Sequence, residues 1–136
     1  MKTFVRALVR SRAARRCEYC RLHEHDLPLF SIQIEHILPK KHGGTDDPRG
    51  LAWSCHFCNI AKSSNLSGRD SVTGRVVVLF NPRRQRWARH FVWDGPRLVG
   101  LTPCGRATLS VLNINTRHRV DLRALLIEAK LFPPSK

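Results

Sequence analysis

Apolar and polar residues alternate most clearly between Phe30 and His36. Phe30, Ile32, Ile34 and His36 share one parity, and Ser31, Gln33 and Glu35 share the other. A period of two predicts a β-strand. Pro39 and Gly43-Gly44 end it, "GGTDDPRG" predicts a loop, and "LAWSC" predicts the returning strand. From Cys58 onward, "CNIAKSSN" predicts a short helix. Upstream, Val5, Leu8 and Val9 share one helical face while arginines occupy the others, so residues 2–16 predict a basic helix. Downstream, "SGRDSVTG" predicts a loop. Strands are expected at Arg75–Phe80, around His90–Trp93 and at Arg97–Thr102, with turns at Asn81-Pro82 and Asp94–Pro96. Helices are expected over Gly105–Leu112 and Val120–Leu131, and a frayed tail at "FPPSK".

These elements predict an α+β chain in three stretches. Residues 1–16 form a basic N-terminal helix, 17–66 a small core, and 67–136 an extension of strands and helices packed on or beside that core. The length of 136 residues suits one domain or a small domain with an appendage.

Charge changes the picture most. Lys+Arg 24 against Asp+Glu 10 gives +14 and a pI near 11.0, a surface that seeks a polyanion. Apolar runs such as Val76–Phe80 fall far short of the roughly 20 residues needed to span a bilayer, so nucleic acid is expected rather than membrane. The opening "MKTFVRALVRSRAARR" has the composition of a transit peptide. It nevertheless runs into Cys17 without a small-residue cleavage signature, which favours a helix of the mature chain and a cytoplasmic location. Nothing in the sequence implies a small organic cofactor.

Four of the five cysteines form two C-x-x-C pairs, Cys17/Cys20 and Cys55/Cys58. Two such turns present four sulfurs to one ion, the arrangement of a structural zinc site. Four core cysteines, or an iron site, are the alternatives that the spacing leaves open. A closed four-thiolate site does no chemistry; it supplies folding free energy. Cys104 has no partner pair and is expected to be a buried small apolar residue.

Between the pairs lies "EHILPKKHGG". Phosphodiester hydrolysis needs a base for water and a cation near the phosphate. Histidine, with an ordinary pKa of about 6.5, suits the base. Carboxylate and amide oxygens suit magnesium. His36 is the candidate base, and Glu35 and Asn59 are candidate ligands of a catalytic magnesium or manganese. Neighbours on a strand point to opposite faces, so Glu35 and His36 converge only where the strand ends or bulges. On a helix, Asn59 and Lys62 share a face, which puts Lys62 in position for a phosphate oxygen.

Cys-x-x-Cys, "EHILP", "GGTDD" and "CHFCNIAK" together resemble the HNH endonucleases with a zinc-stabilised ββα-metal core, over about residues 17–65. "NLSG", "LFNPRRQRW", "HF" and "GLTPCGRAT" are similar to a common bacterial HNH subgroup. The resemblance implies His36 as general base, Glu35 and Asn59 as metal ligands, and Cys17, Cys20, Cys55 and Cys58 on zinc. One position departs: Gly50 precedes Leu51 where the family usually carries a bracing asparagine. Asp46 or Asp47 is the expected substitute brace.

Two arginine clusters, with Arg12, Arg15 and Arg16 in one and Arg83, Arg84 and Arg86 in the other, are expected to contact phosphates, as are Lys40 and Lys41. Trp53, Trp87 and Trp93 are expected in packing, not base stacking. His42 is expected to be a solvated loop histidine, and His56 to stay off the zinc. The sequence thus points to a metal-dependent HNH endonuclease acting on double-stranded DNA. A zinc-stabilised nucleic-acid-binding module with weak or lost nuclease activity is the second reading.

Overall fold

The short apolar runs build five α-helices and three two-stranded antiparallel sheets among residues 1–135, the part of the chain that the computed structural model describes. The fold class is α+β. The backbone gathers into two units: Met1–Leu66 with Asn81–Gln85, and Ser67–Phe80 with the residues from Arg86 on.

In the first unit, helix α1 (Thr3–Arg12) buries Val5 and Val9. Leu8, expected on the same face, is 47% exposed, so the inward stripe is a single i, i+4 pair. The helix does not reach residue 16, because Ala14 and Arg15 take positive φ values of 53° and 61°. Strand β1 (Gln33–His36) pairs with β2 (Leu51–Ser54), placing Glu35 opposite Ala52 and His36 opposite Leu51. The strand is shorter than the alternation predicts. Phe30 lies outside it, with its N–H bonded to Leu27 O and its ring stacked on His56 at 4.8 Å. Every residue of β2 is buried. Helix α2 (His56–Lys62) starts before Cys58, because the Cys55 sulfur caps it by accepting the Cys58 N–H. Trp53 sits in the core as expected, with the Arg6 guanidinium 4.8 Å from its ring centre.

In the second unit, "SGRDSVTG" is a loop only from Asp70 to Gly74: its first three residues form β3 (Ser67–Arg69), which pairs with β4 (Val76–Val78). Buried Asp70 makes the turn. Its carboxylate accepts the N–H groups of Val72 and Thr73 and the Thr73 hydroxyl, and Arg106 clamps it at 2.7 Å. A short helix α3 (Trp87–His90) occupies the start of the strand expected around His90, so β5 is Phe91–Asp94, paired with β6 (Arg97–Gly100). Helix α4 (Pro103–Val111) is capped by Thr102. It passes so close to α3 that a Cβ on Gly105 would lie 2.2 Å from His90 O. Cys104 is half-buried, not buried.

Helix α5 spans Arg117–Glu128, earlier than the predicted Val120–Leu131, and its buried positions are Arg119 and Arg123. Both reach carbonyls just past the end of α4, Arg119 donating to Leu112 O and Arg123 to Ile114 O, and Arg123 also donates to Pro96 O in the turn between β5 and β6. Cations there satisfy groups that a helix end leaves open. The "FPPSK" tail, expected to fray, is anchored at Phe132, whose ring packs 4.9 Å from Trp93; its last residue, Lys136, lies outside the described residues. No described helix is long and apolar enough to cross a membrane.

Asp70 carries a prediction. Arg106 holds its carboxyl well below the usual carboxylate range. A depressed folded pKa contributes stability above the unfolded value of about 3.9, lost as pH falls through the lower folded value. Thermal melts between pH 2 and 7 are expected to show an acid limb that Asp70→Asn flattens while lowering the melting temperature at neutral pH.

Candidate zinc and catalytic centre

The two C-x-x-C turns meet in the first unit. Their four sulfurs lie within 4.8 Å of one another, and the Cys20 and Cys55 sulfurs are 3.6 Å apart. A disulfide needs about 2.05 Å. Sulfurs tetrahedrally bound at about 2.3 Å from zinc stand about 3.8 Å apart, so the spacing fits a shared ion. Each knuckle is shaped by an amide pointing at sulfur, Cys20 N–H to Cys17 and Cys58 N–H to Cys55. Arg21 makes the turn with φ 67°. All four cysteines are fully buried. Hydrogen bonding from Cys17, with the neighbouring sulfurs and burial, pushes the Cys58 thiol well up. The chemistry of this donor set is that of a structural zinc site.

Cys55 starts α2, and α2 faces the Gln33–Glu35 side of β1. Asn59 Nδ2 donates to Gln33 Oε1 at 2.5 Å. Lys62 Nζ lies 2.5 Å from Glu35 Oε1 and donates to Ile37 O at 3.2 Å. The Tyr19 hydroxyl donates to Glu35 Oε2 at 2.6 Å. Glu35 and Lys62 are both buried, at 4% and 2% exposure. One expectation is corrected here. Lys62 is not presented to a phosphate, because its ammonium is buried against Glu35. Glu35, one of the two expected magnesium or manganese ligands, has that ammonium 2.5 Å from an Oε1 that is buried and makes no hydrogen bond. Asn59 fits better: it is half-exposed, and its carbonyl oxygen has no hydrogen-bond partner among the described residues.

His36 has the parity of Ile34 and projects from the other side of the strand. Its Nε2 lies 2.9 Å from Asp46 Oδ1. The geometric objection raised by strand alternation therefore holds: Glu35 and His36 do not converge. Asp46 takes the bracing role, while Asp47 caps the turn Pro48–Gly50 by accepting the Arg49 N–H. The hydrogen bond from His36 lowers the Asp46 pKa, keeping that carboxylate charged. His36 opens onto a cleft of about 400 Å³ shared with Arg6, Gln33 and Ile34. Gln33, Arg6 and Tyr19 carried no signal in the sequence, since each acts through a partner distant along the chain.

The basic residues divide. Lys40 and Lys41 are exposed on a turn, with Lys40 Nζ 3.7 Å from Asp46. Arg15 is exposed, whereas Arg16 is half-buried and donates to Arg21 O. Arg83 is paired with Glu18, Arg84 is exposed, and Arg86 is exposed in the second unit. His42 bonds Ser64 O at 3.2 Å through its Nε2. His56 stays off the sulfur cluster.

Purified protein is expected to hold one zinc per chain by elemental analysis, and stripping it with a chelator or changing Cys55→Ser is expected to unfold the first unit by circular dichroism. Lys62→Met strands a buried carboxylate and is expected to cost about 3–5 kcal/mol in denaturant unfolding, most of it recovered by adding Glu35→Gln.

Nothing matches this chain among the curated proteins or the solved structures. The HNH endonuclease family model matches residues 17–65, the segment that runs from the first cysteine pair past α2, and this is the family that the sequence motifs resemble.

Proposed function

We propose that this chain is an endonuclease of the HNH type that hydrolyses phosphodiester bonds of double-stranded DNA, with His36 as general base. The observation that carries the proposal is the His36–Asp46 pair, at 2.9 Å, at the end of a strand inside the HNH-matching segment. A carboxylate acceptor on Nε2 keeps the proton on that nitrogen and leaves the Nδ1 lone pair for water. As the water oxygen attacks phosphorus, Nδ1 takes its proton and the opposite P–O bond breaks. Arg6, held over Trp53 and lining the same cleft, supplies positive charge to the phosphate. Magnesium or manganese, which the family generally uses, would stabilise the leaving oxygen, with Asn59 as an expected ligand. The reading places the protein in the cytoplasm, where thiols stay reduced and available to zinc.

A second reading has its own observation. Gly50 in the bracing position and the buried Glu35–Lys62 pair favour a zinc-folded nucleic-acid-binding module with weak or lost cleavage.

Supercoiled plasmid incubated with magnesium or manganese separates them. The wild type is expected to nick it, His36→Ala to lose about 10²–10⁴-fold, and Asp46→Asn to fall between the two. DNA binding without nicking by either wild type or His36→Ala would establish the binding module instead. Equal nicking by both would remove His36 from the role of base.

A further inference from the structure

Four arginines from three segments of the first unit converge on one cleft. It holds about 580 Å³ and is lined by Arg12, Asp47, Arg49, Gly50, Arg83 and Arg84. Arg12 comes from the end of α1, Arg49 from the turn before β2, and Arg83 and Arg84 from the segment Asn81–Gln85.

Their charges are only partly answered. Asp47 is 2.7 Å from Arg49, and Glu18 pairs with Arg83. Arg12 meets no acid among the described residues; its guanidinium donates to the carbonyls of Pro48 and Leu51, both at 2.6 Å. Arg84 is exposed, and no acid among the described residues lies within ion-pair distance of it. Burial, with the charge of Arg12, holds the Arg83 pKa down to about 10, and its Nε is buried without a hydrogen-bond partner. Like charges held this way favour an anion between them. The floor is open: a Cβ at Gly50 would meet no atom within 4 Å. Gly50 directly precedes Leu51, the cross-strand partner of His36, so the cleft opens beside the hairpin end that carries the imidazole.

We propose that this cleft is a phosphate subsite that grips a backbone phosphate neighbouring the one presented to His36. Arg49, whose Nε and Nη2 hold Asp47 and whose Nη1 is left for an anion, and Arg84 are its exposed donors, Arg12 and Arg83 its fixed charge, and Gly50 the opening that admits the phosphate. The proposal rests on the nucleic-acid reading above, and it adds Arg49 and Gly50 to the residues that meet the strand. An arginine fork suits phosphate because two N–H groups match two oxygens.

The test uses the full chain carrying His36→Ala, so that DNA stays intact and binding is read apart from cleavage. Affinity for a double-stranded oligodeoxynucleotide is measured by fluorescence anisotropy between 50 and 200 mM salt. Adding Arg49→Ala with Arg84→Ala is expected to make log K against log salt shallower by about 0.9 for each phosphate that is no longer neutralised, about 1.8 if each arginine answers one. It is also expected to weaken binding at least tenfold. The exposed pair Arg75→Ala with Arg97→Ala removes the same charge elsewhere and is expected to do less. Gly50→Glu, which puts an acid into the cleft with the arginines intact, is expected to reproduce the loss. Equal effects of the two double variants, with Gly50→Glu silent, would overturn the subsite. Inorganic phosphate, titrated by calorimetry, separates the sources. Binding of phosphate that Arg49→Ala/Arg84→Ala abolishes, with the oligonucleotide slope unchanged, would make this a free-anion pocket and overturn the proposal. A plasmid that is never nicked, with the slope still falling in the Arg49→Ala/Arg84→Ala variant, would end the nuclease reading and leave the subsite standing.

Discussion

Four sulfurs held within 4.8 Å of one another are the constraint on which the first unit depends. Crowded thiolates repel one another, and a bound zinc turns the same crowding into binding free energy that is also folding free energy. The sulfurs tie the knuckle after α1 to the start of α2. Because Cys55 both joins the cluster and caps α2, the position of Asn59 and Lys62 follows from it. A hairpin of two four-residue strands is marginal on its own, and this clamp gives it something to pack against.

From that clamp, β1 presents two faces with separate tasks. The inner face joins Gln33 to Asn59 and Glu35 to Lys62 and Tyr19, a buried polar network whose members are largely paired. The outer face carries His36, aimed by Asp46 toward a cleft with Arg6. Acid and base are adjacent in sequence because they serve opposite sides of one strand. The carboxylate orders the hairpin on the helix, and the imidazole stays at the open end of the strand, paired with Asp46.

The second unit solves a different problem with the same abundant residue. Its closing helix turns arginines, not apolar side chains, toward the carbonyls that end α4. Basic residues in this chain therefore divide into structural and exposed sets. Arg119, Arg123 and Lys62 are buried and spent, whereas Arg84, Arg49, Lys40 and Lys41 face solvent. A net charge of +14 by itself does not distinguish them.

The amino-acid sequence by itself determined the paired knuckles, the hairpin, the helix after it and the basic character. These depend on local spacing: two residues between sulfurs, a period of two in a strand, glycine and proline at turns. It also carried the departure at Gly50 and two candidate replacements. Only the tertiary structure decided that Asp46 reaches His36 while Asp47 caps a turn, that Lys62 neutralises Glu35, and that Arg106 clamps Asp70 at the turn between β3 and β4. Each of those outcomes depends on which groups lose water together. The partners lie 10 residues apart for His36 and Asp46 but 27 for Glu35 and Lys62 and 36 for Asp70 and Arg106, by their numbering, too far for any local period to encode.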